Sequence, residues 1–337
     1  MQKIQTRNSV TDYYSNLLTG VGLQKKDLIF PIFVQERSEK VTGIKGMPGI
    51  RKICLQNLTQ HVQDIIDLGI SSIIIFGIPE HRDRRASSAV SKDGVVQRAI
   101  RKIKKEFGGL LNIVTDVCIC QYNLSGHCGL VISRNNNNNS SNNSRIVDND
   151  STLGLLSKIA ISHAESGADV IAPSSMMDCQ VYSIRNSLKS KGFKNIKIMS
   201  YAAKHASALY LPFRMTAFSN KINNYNIIDK SAYQIGYSNP REVIREVQAD
   251  IHEGADMIVI KPGIAYLDVV SMIKEVFDFP IAVQNVSGEY AMIKAAARNG
   301  WIDEDEWKVN SIAAIKRAGA DNIISYFSTD LARYLEH

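Results

Sequence analysis

No stretch of the 337-residue sequence approaches 18 uninterrupted apolar residues, so a membrane-spanning helix is not expected. The opening "MQKIQTRNSVTDYYSN" has no apolar core of the kind a secretory signal carries, and a soluble, cytoplasmic protein is the expectation. Cysteine is scarce: five residues, an odd number in a long chain, do not make the disulfide framework of a small secreted domain. Neither GxGxxG nor GxxxxGK[ST] occurs, which removes the usual dinucleotide and P-loop signatures. The formal charge is +7, but its lysines and arginines are dispersed, with local runs only at "HRDRR" (81–85) and "RKIKK" (101–105). Without interleaved aromatics or a binding-module motif, that balance does not point to nucleic acid.

What is present is a rhythm of β-branched apolar runs. They read as strands at 27–34, 71–77, 111–118, 169–174, 197–203, 256–262, 280–287 and 322–327. Helical patterns lie between most of them, including "TLGLLSKIAISHAESGAD", with Ser151 or Thr152 as the cap, and "REVIREVQADIHEGAD" after Pro240. Eight alternations suit a closed (β/α)8 TIM barrel better than an open doubly wound sheet of five or six strands. The tripeptide "GAD" recurs at the helix-to-strand joints ending at Asp169, Asp256 and Asp321, where glycine can end a helix in a left-handed conformation.

In such barrels chemistry sits at the carboxyl ends of the strands. Asp116, Ser174, Lys204, Lys261, Ser287 and Tyr326 fall there. Each has a plain structural alternative: Asp116 as a helix cap, Ser174 as a turn residue, Tyr326 as a rim-filling ring. Lys204 in "IMSYAAKHAS" and Lys261 in "MIVIKPGIAY" each close an apolar run, so two amines can point into one pocket. Apolar surroundings and a facing cation disfavour the charged amine, which favours attack on a carbonyl and imine formation. "DVCICQYNLSGHCG" brings Cys118, Cys120 and Cys128 together at the third strand end. Three thiolates can hold zinc with one position open, or be ordinary buried thiols. His127 reads as a loop-shaping or hydrogen-bonding neighbour, and Cys54 and Cys179 as free thiols. The run "SRNNNNNSSNNS" (133–144) cannot build a core and is either a lid over the barrel mouth or an idle insertion.

The ordered blocks "DVCICQYNLSGHCG", "GADVIAPSSMMD", "IMSYAAKHASALYLPFR", "GADMIVIKP", "VSGEYAMIKAAARNGWID" and "IKRAGADNIISYF" make the chain resemble the porphobilinogen synthase (5-aminolevulinate dehydratase) family from about residue 27 onward. The resemblance implies an N-terminal arm over 1–26, a single catalytic barrel over 27–337 and a homo-octamer. It implies condensation of two 5-aminolevulinate molecules to porphobilinogen, with loss of two waters, in tetrapyrrole and haem biosynthesis. Lys261 would form the Schiff base on the propionate side of the product and Lys204 on the acetate side, with Asp116 moving or orienting protons. Zinc on Cys118, Cys120 and Cys128 would serve the Lys204 side. Ser287 and Tyr326 would anchor one carboxylate; Arg214, Gln234 and Lys230 the other; Tyr210, Phe213 and Ser174 would line the pocket. Glu246 matches an outer, activating magnesium position.

Several residues depart from the family pattern. Lys230 stands for a common arginine, Gln284 for a common tyrosine, and "SSMMDCQ" for "SDMMDGR", placing Ser175, Cys179 and Gln180 in altered positions. Weaker substrate affinity or an altered metal and pH response is the expectation, with the reaction retained. Two alternatives stay open at the level of sequence: another imine-forming, aldolase-like lyase, and a family member that has lost catalysis.

Overall fold

The computed structural model describes residues 10–36, 40–134, 144–217, 229–236 and 238–336. Eight parallel strands form the barrel: β1 (Leu28–Gln35), β4 (Ser72–Ile78), β5 (Asn112–Val117), β8 (Val170–Pro173), β9 (Lys197–Lys204), β10 (Met257–Lys261), β11 (Ile281–Gln284) and β12 (Asn322–Ile324). Pairing of Leu28 with Ile323 and Ile29 with Ile324 closes β12 onto β1. The expected barrel is therefore present, its strand bounds within a few residues of the apolar runs. Two runs are markedly shorter than expected: 280–287 leaves the sheet after Gln284, with Ser287 opening a helix, and 322–327 leaves it after Ile324.

A hairpin of β2 (Thr42–Ile44) and β3 (Met47–Cys54) extends the sheet beside β1. The strands β6 (Leu130–Arg134) and β7 (Ser144–Asp148) pair antiparallel as a separate ribbon, which the polar composition around them does not announce. The Asn-rich run between them, read from the sequence as a lid or an idle insertion, falls largely on 135–143, outside the described residues.

The helices are α1 (Val10–Gly20), α2 (Leu58–Asp67), α3 (Val95–Phe107), α4 (Asn149–Glu165), α5 (Gln180–Ser190), α6 (Leu211–Ala217), α7 (Pro240–Glu253), α8 (Leu267–Val276), α9 (Ser287–Arg298), α10 (Glu304–Arg317) and α11 (Ser328–Tyr334). Within the expected arm, α1 packs on α10 and α11 of its own barrel, with Tyr14 and Tyr334 rings 5.2 Å apart. The cap of α4 differs from the expectation. Asp148 accepts from the Ser151 N–H at 3.1 Å, because a carboxylate at the end of β7 reaches the orphan donors that Ser151 and Thr152 sit too far inside to cap. Thr152 instead donates to the Asp148 carbonyl and accepts from the Leu130 N–H, joining helix to ribbon.

The "GAD" joints share a construction that sequence spacing alone does not reveal. Gly167, Gly254 and Gly319 have φ of 104°, 102° and 121°, and the next residue's N–H returns to the helix. Asp169, Asp256 and Asp321 then each accept an N–H at the start of a neighbouring strand, from Ile113, Ile198 and Ile281. Each also pairs with a base on a flanking helix: Lys104, Arg185 and Lys274 respectively. A Cβ on Gly319 would lie 2.8 Å from the Lys274 side chain, so glycine also makes room for the aliphatic stem. The joints lie at the amino ends of the strands and leave the opposite rim free for chemistry.

Candidate active site

Lys204 and Lys261 are the last residues of adjacent strands and are direct cross-strand partners. Parallel pairing at the same level puts both side chains on one side of the sheet, and both are buried. They share a floor: the Tyr201 ring centroid lies 6.0 Å from the Lys204 Nζ and 5.4 Å from the Lys261 Nζ. The Lys261 amine also has the Tyr210 and Phe213 rings at 5.0 and 5.5 Å. Burial, with the charge of Lys204 added, pulls the Lys261 ammonium down to about 7. The Lys204 Nζ donates to the Ser174 carbonyl.

Asp116, on β5, accepts from the Ser174 Oγ at 2.6 Å and from the Gln121 Nε2 at 3.0 Å. Both its oxygens are thus held, and the cap and turn alternatives for Asp116 and Ser174 give way to one hydrogen-bonded unit beside Lys204. Gln121 immediately follows Cys120, which connects that unit to the thiols.

The sulfurs of Cys118, Cys120 and Cys128 all lie within 4.8 Å of one another and are buried. This is the one group of three or more Cys, His, Asp or Glu with metal-binding proximity among the described residues. Asn123 shapes the returning loop, accepting from the Gly126 N–H at 2.6 Å and donating to the His127 carbonyl at 2.8 Å. Gly126 sits at φ 70°, in the left-handed region. Tyr233 holds the same loop from outside: its hydroxyl accepts from the Cys128 N–H at 3.1 Å and lies 3.2 Å from the His127 Nδ1. His127 therefore buttresses the loop. Donation from the Cys118 and Cys120 thiols pulls the Cys128 thiol well below its ordinary range, while burial pushes Cys118 up. A compact set of three soft sulfurs, one already disposed to be thiolate, fits zinc, whose thiolate bonds of about 2.3 Å require this kind of spacing.

Lys230, expected to help hold a carboxylate, lies beside the thiol cluster. It is buried with its Nζ 3.3 Å from the Cys128 Sγ. Burial alone would lower its pKa, but the negative charge gathered on Cys128, Cys120 and Cys118 outweighs that and holds it above its usual value. Arg214, on α6, is buried with its guanidinium carbon 5.6 Å from the Tyr210 ring centre. Gln234 presents a buried Oε1 with no hydrogen-bond partner among the described residues.

On the Lys261 side, the Tyr326 hydroxyl is likewise buried and unpartnered among the described residues, and its ring stacks on Phe33 at 6.1 Å. A buried polar atom without a partner costs stability unless a ligand group completes it, so both atoms are open to polar atoms of a ligand. Ser287 opens α9, donating to the Leu209 carbonyl at 3.3 Å and accepting from the Phe213 N–H at 3.1 Å. The Tyr210 hydroxyl lies 2.6 Å from the His205 carbonyl and 3.1 Å from the Lys261 carbonyl, tying the two lysine-bearing strand ends together.

Tyr201, Gln121 and Tyr233 were not singled out by sequence reasoning. Their signals were weak ones: each lies one to five residues from a lysine, cysteine or carboxylate-binding candidate. Gln284 accepts from the Tyr201 hydroxyl at 3.0 Å, so the departure from tyrosine fixes the ring beneath both amines. Among the described residues Ser175 is buried with an unpartnered Oγ and Gln180 with an unpartnered Oε1, and Cys179 has φ 64°. Glu246, on α7, lines a cavity of about 400 Å³ with Glu242, Asp250, Asp178, Gln180 and Gln234. Burial raises its carboxyl pKa, and Asp178, Glu242 and Glu253 add to the effect.

Paired lysines at the rim of a β/α barrel, beside a three-thiol cluster that fits a metal ion, define a class of imine-forming, metal-assisted lyases. The family model for delta-aminolevulinic acid dehydratase matches residues 2–334, and the chain belongs to that family. The delta-aminolevulinic acid dehydratase of Archaeoglobus fulgidus is 45% identical over 314 residues, covering 93% of this chain and 92% of the relative. That of Staphylococcus aureus is 44% identical over 314 residues, with 93% of each covered. The crystal structure of the Toxoplasma gondii enzyme in complex with its product porphobilinogen superposes with a TM-score of 0.86 at 34% identity, covering 99% of this chain and 92% of that one. No helix among the described residues is long and apolar enough to cross a membrane.

Proposed function

We propose that Lys204 and Lys261 each capture one 5-aminolevulinate as an imine and that the chain joins the two into porphobilinogen. The reaction is the asymmetric condensation of two identical keto acids with loss of two waters, a hydro-lyase activity of tetrapyrrole and haem biosynthesis. The observation that carries the reading is the cross-strand pairing of the two buried amines over one aromatic ring.

Attack of each free amine on a keto carbon expels water and leaves a carbon that is electrophilic and flanked by acidified C–H bonds. Loss of a proton from the carbon beside the Lys204 imine generates a nucleophile, which bonds to the imine carbon on Lys261. Elimination then frees Lys261, and the amino group of the substrate displaces Lys204. A final proton loss makes the ring aromatic. The two waters lost are those expelled on imine formation, since both lysines leave as amines. Asp116, fixed by Ser174 and Gln121 beside Lys204, is assigned the proton transfers on that side.

Ser287 and Tyr326 are assigned the carboxylate on the Lys261 side; Arg214, Gln234 and Lys230 the one on the Lys204 side. Tyr210, Phe213 and Ser174 line the space between. Cys118, Cys120 and Cys128 would hold zinc, which supplies Lewis acidity or an activated water next to the Lys204 substrate. The acidic cavity around Glu246, with the carbonyl oxygen of Gln180, suits an outer magnesium ion bound through oxygen. A cytoplasmic homo-octamer, with the barrel over 27–337 and the arm over 1–26, completes the proposal.

Borohydride reduction in the presence of 5-aminolevulinate, followed by peptide mapping, is the test. Label on both Lys204 and Lys261 supports the two-imine reading. Label on neither, or label only with a different ketone, overturns it.

A further inference from the structure

The three rim segments that carry Lys261, Ser287 and Tyr326 meet in a buried polar network behind the site. Glu289, in the first turn of α9, is 1% exposed, and its carboxylate reaches beyond its own helix. One oxygen accepts the Ile264 N–H at 2.6 Å; the other faces the Gly263 N–H at 3.4 Å, the Val286 N–H at 2.7 Å and the Asn285 Nδ2 at 3.2 Å. Gly263 and Ile264 follow Lys261 by two and three residues, while Asn285 and Val286 directly precede Ser287. The network continues: the Ser325 Oγ donates to the Asn285 Oδ1 at 3.0 Å, and Ser325 is the neighbour of Tyr326. Asn285 and Ser325 are fully buried.

A helix cap alone explains only the Val286 contact. The bonds to Gly263 and Ile264 join the end of β10 to the start of α9, and the Asn285 amide carries the connection on to the end of β12. The start of α9 is also seated tightly, since a Cβ on Gly288 would fall 2.4 Å from the Leu209 carbonyl oxygen. Lys261, Ser287 and Tyr326 therefore sit on three separate segments whose spacing is fixed by one carboxylate and one amide.

We propose that Glu289 is a positioning residue that, through Asn285 and Ser325, sets the Lys261 amine against Ser287 and Tyr326, so that the imine carbon and the carboxylate of one substrate are held in register. This rests on the assignment of Lys261, Ser287 and Tyr326 above. It adds a group that touches no substrate atom and serves one of the two substrate halves selectively. Lys204, Asp116 and Ser174 hang on β9, β5 and the end of β8, none of which the carboxylate contacts. Replacing it with an amide turns an acceptor of four N–H donors into a group with one acceptor oxygen and an NH2 that faces donors.

The test uses the full zinc-loaded chain, with Glu289→Gln and the milder Ser325→Ala, in timed borohydride trapping of 5-aminolevulinate with separate quantification of the two lysine peptides. The expected result is labelling at Lys261 slowed tenfold or more in Glu289→Gln, and severalfold in Ser325→Ala, with labelling at Lys204 within twofold of wild type. Equal slowing at both lysines would mean a general structural role and overturn the proposal, as would unchanged labelling at both. If Glu289→Gln does not fold, Ser325→Ala alone decides by the same criterion. Absence of label from both lysines in wild type would instead overturn the parent reading and this one with it.

Discussion

Lys261 should titrate as a near-neutral amine, and the consequences reach from rate to stability. Its ordinary pKa is 10.5; burial, then the charge of Lys204, bring it to about 7. At pH 7.5 that leaves about 3 in 4 molecules with a free amine at this position, against about 1 in 1,000 for a solvated lysine. The unfolded chain keeps its proton up to 10.5, whereas the folded chain sheds it above about 7. Between those values the unfolded state binds more protons, so this group makes the protein more stable as pH rises. At pH 7 the unfavourable contribution is about 4 kcal/mol, from 1.36 kcal/mol per unit. Lys261→Met should abolish turnover and yet raise the unfolding free energy at pH 7 by up to that amount, the gain fading as pH approaches 10.5. A 13Cε-lysine NMR titration of the metal-free protein, with urea unfolding of both forms from pH 7 to 10, checks both halves. A Lys261 midpoint near 10, or a Lys261→Met variant no more stable than wild type, would refute the reasoning.

Further outcomes follow from other parts of the molecule. Cys128→Ala should lose stoichiometric zinc, measured by atomic emission after dialysis, because it removes the thiol most disposed to be thiolate. Cys179→Gly should stabilise by about 1 kcal/mol in urea unfolding, since Cys179 holds a φ of 64° that glycine adopts without Cβ strain. His163 is buried with both ring nitrogens unpartnered among the described residues, and burial lowers its pKa to about 3. Its folded pKa lies below the unfolded 6.5, so stability should fall as pH drops from 6.5 towards 3, and His163→Leu should flatten that part of the profile. Gln284→Leu, which removes the acceptor for the Tyr201 hydroxyl, should lower kcat severalfold by loosening the floor under both amines; unchanged steady-state kinetics would count against that role.

The parts of the molecule legible in the sequence are those encoded by local pattern. Buried parallel strands must be β-branched and apolar along their whole length, so the eight runs stand out, and a lysine ending such a run is conspicuous. The three cysteines lie within eleven residues, 118 to 128, so a loop of ordinary length can gather them. Glycine before "AD" marks the helix ends because the left-handed conformation admits few other residues. What stayed hidden depends on contacts between distant segments. Lys230 faces Cys128 across 102 positions, Tyr201 finds Gln284 across 83, and the aspartates of the joints pair with bases 47 to 71 residues away. Glu289 is the clearest case. By pattern it is a first-turn helix acid, and only the packed barrel brings the Gly263 and Ile264 N–H groups to its oxygens. The ribbon of β6 and β7 was hidden for another reason: its strands are short and flank a run of asparagine and serine that carries no apolar alternation.

The central claim is that two lysines and a three-cysteine metal centre together make porphobilinogen from 5-aminolevulinate. Product formation by the purified protein, before zinc chelation, after it, and after zinc is restored, tests that most directly. The account predicts product that falls on chelation and returns with zinc; no product even in added zinc and magnesium would contradict it.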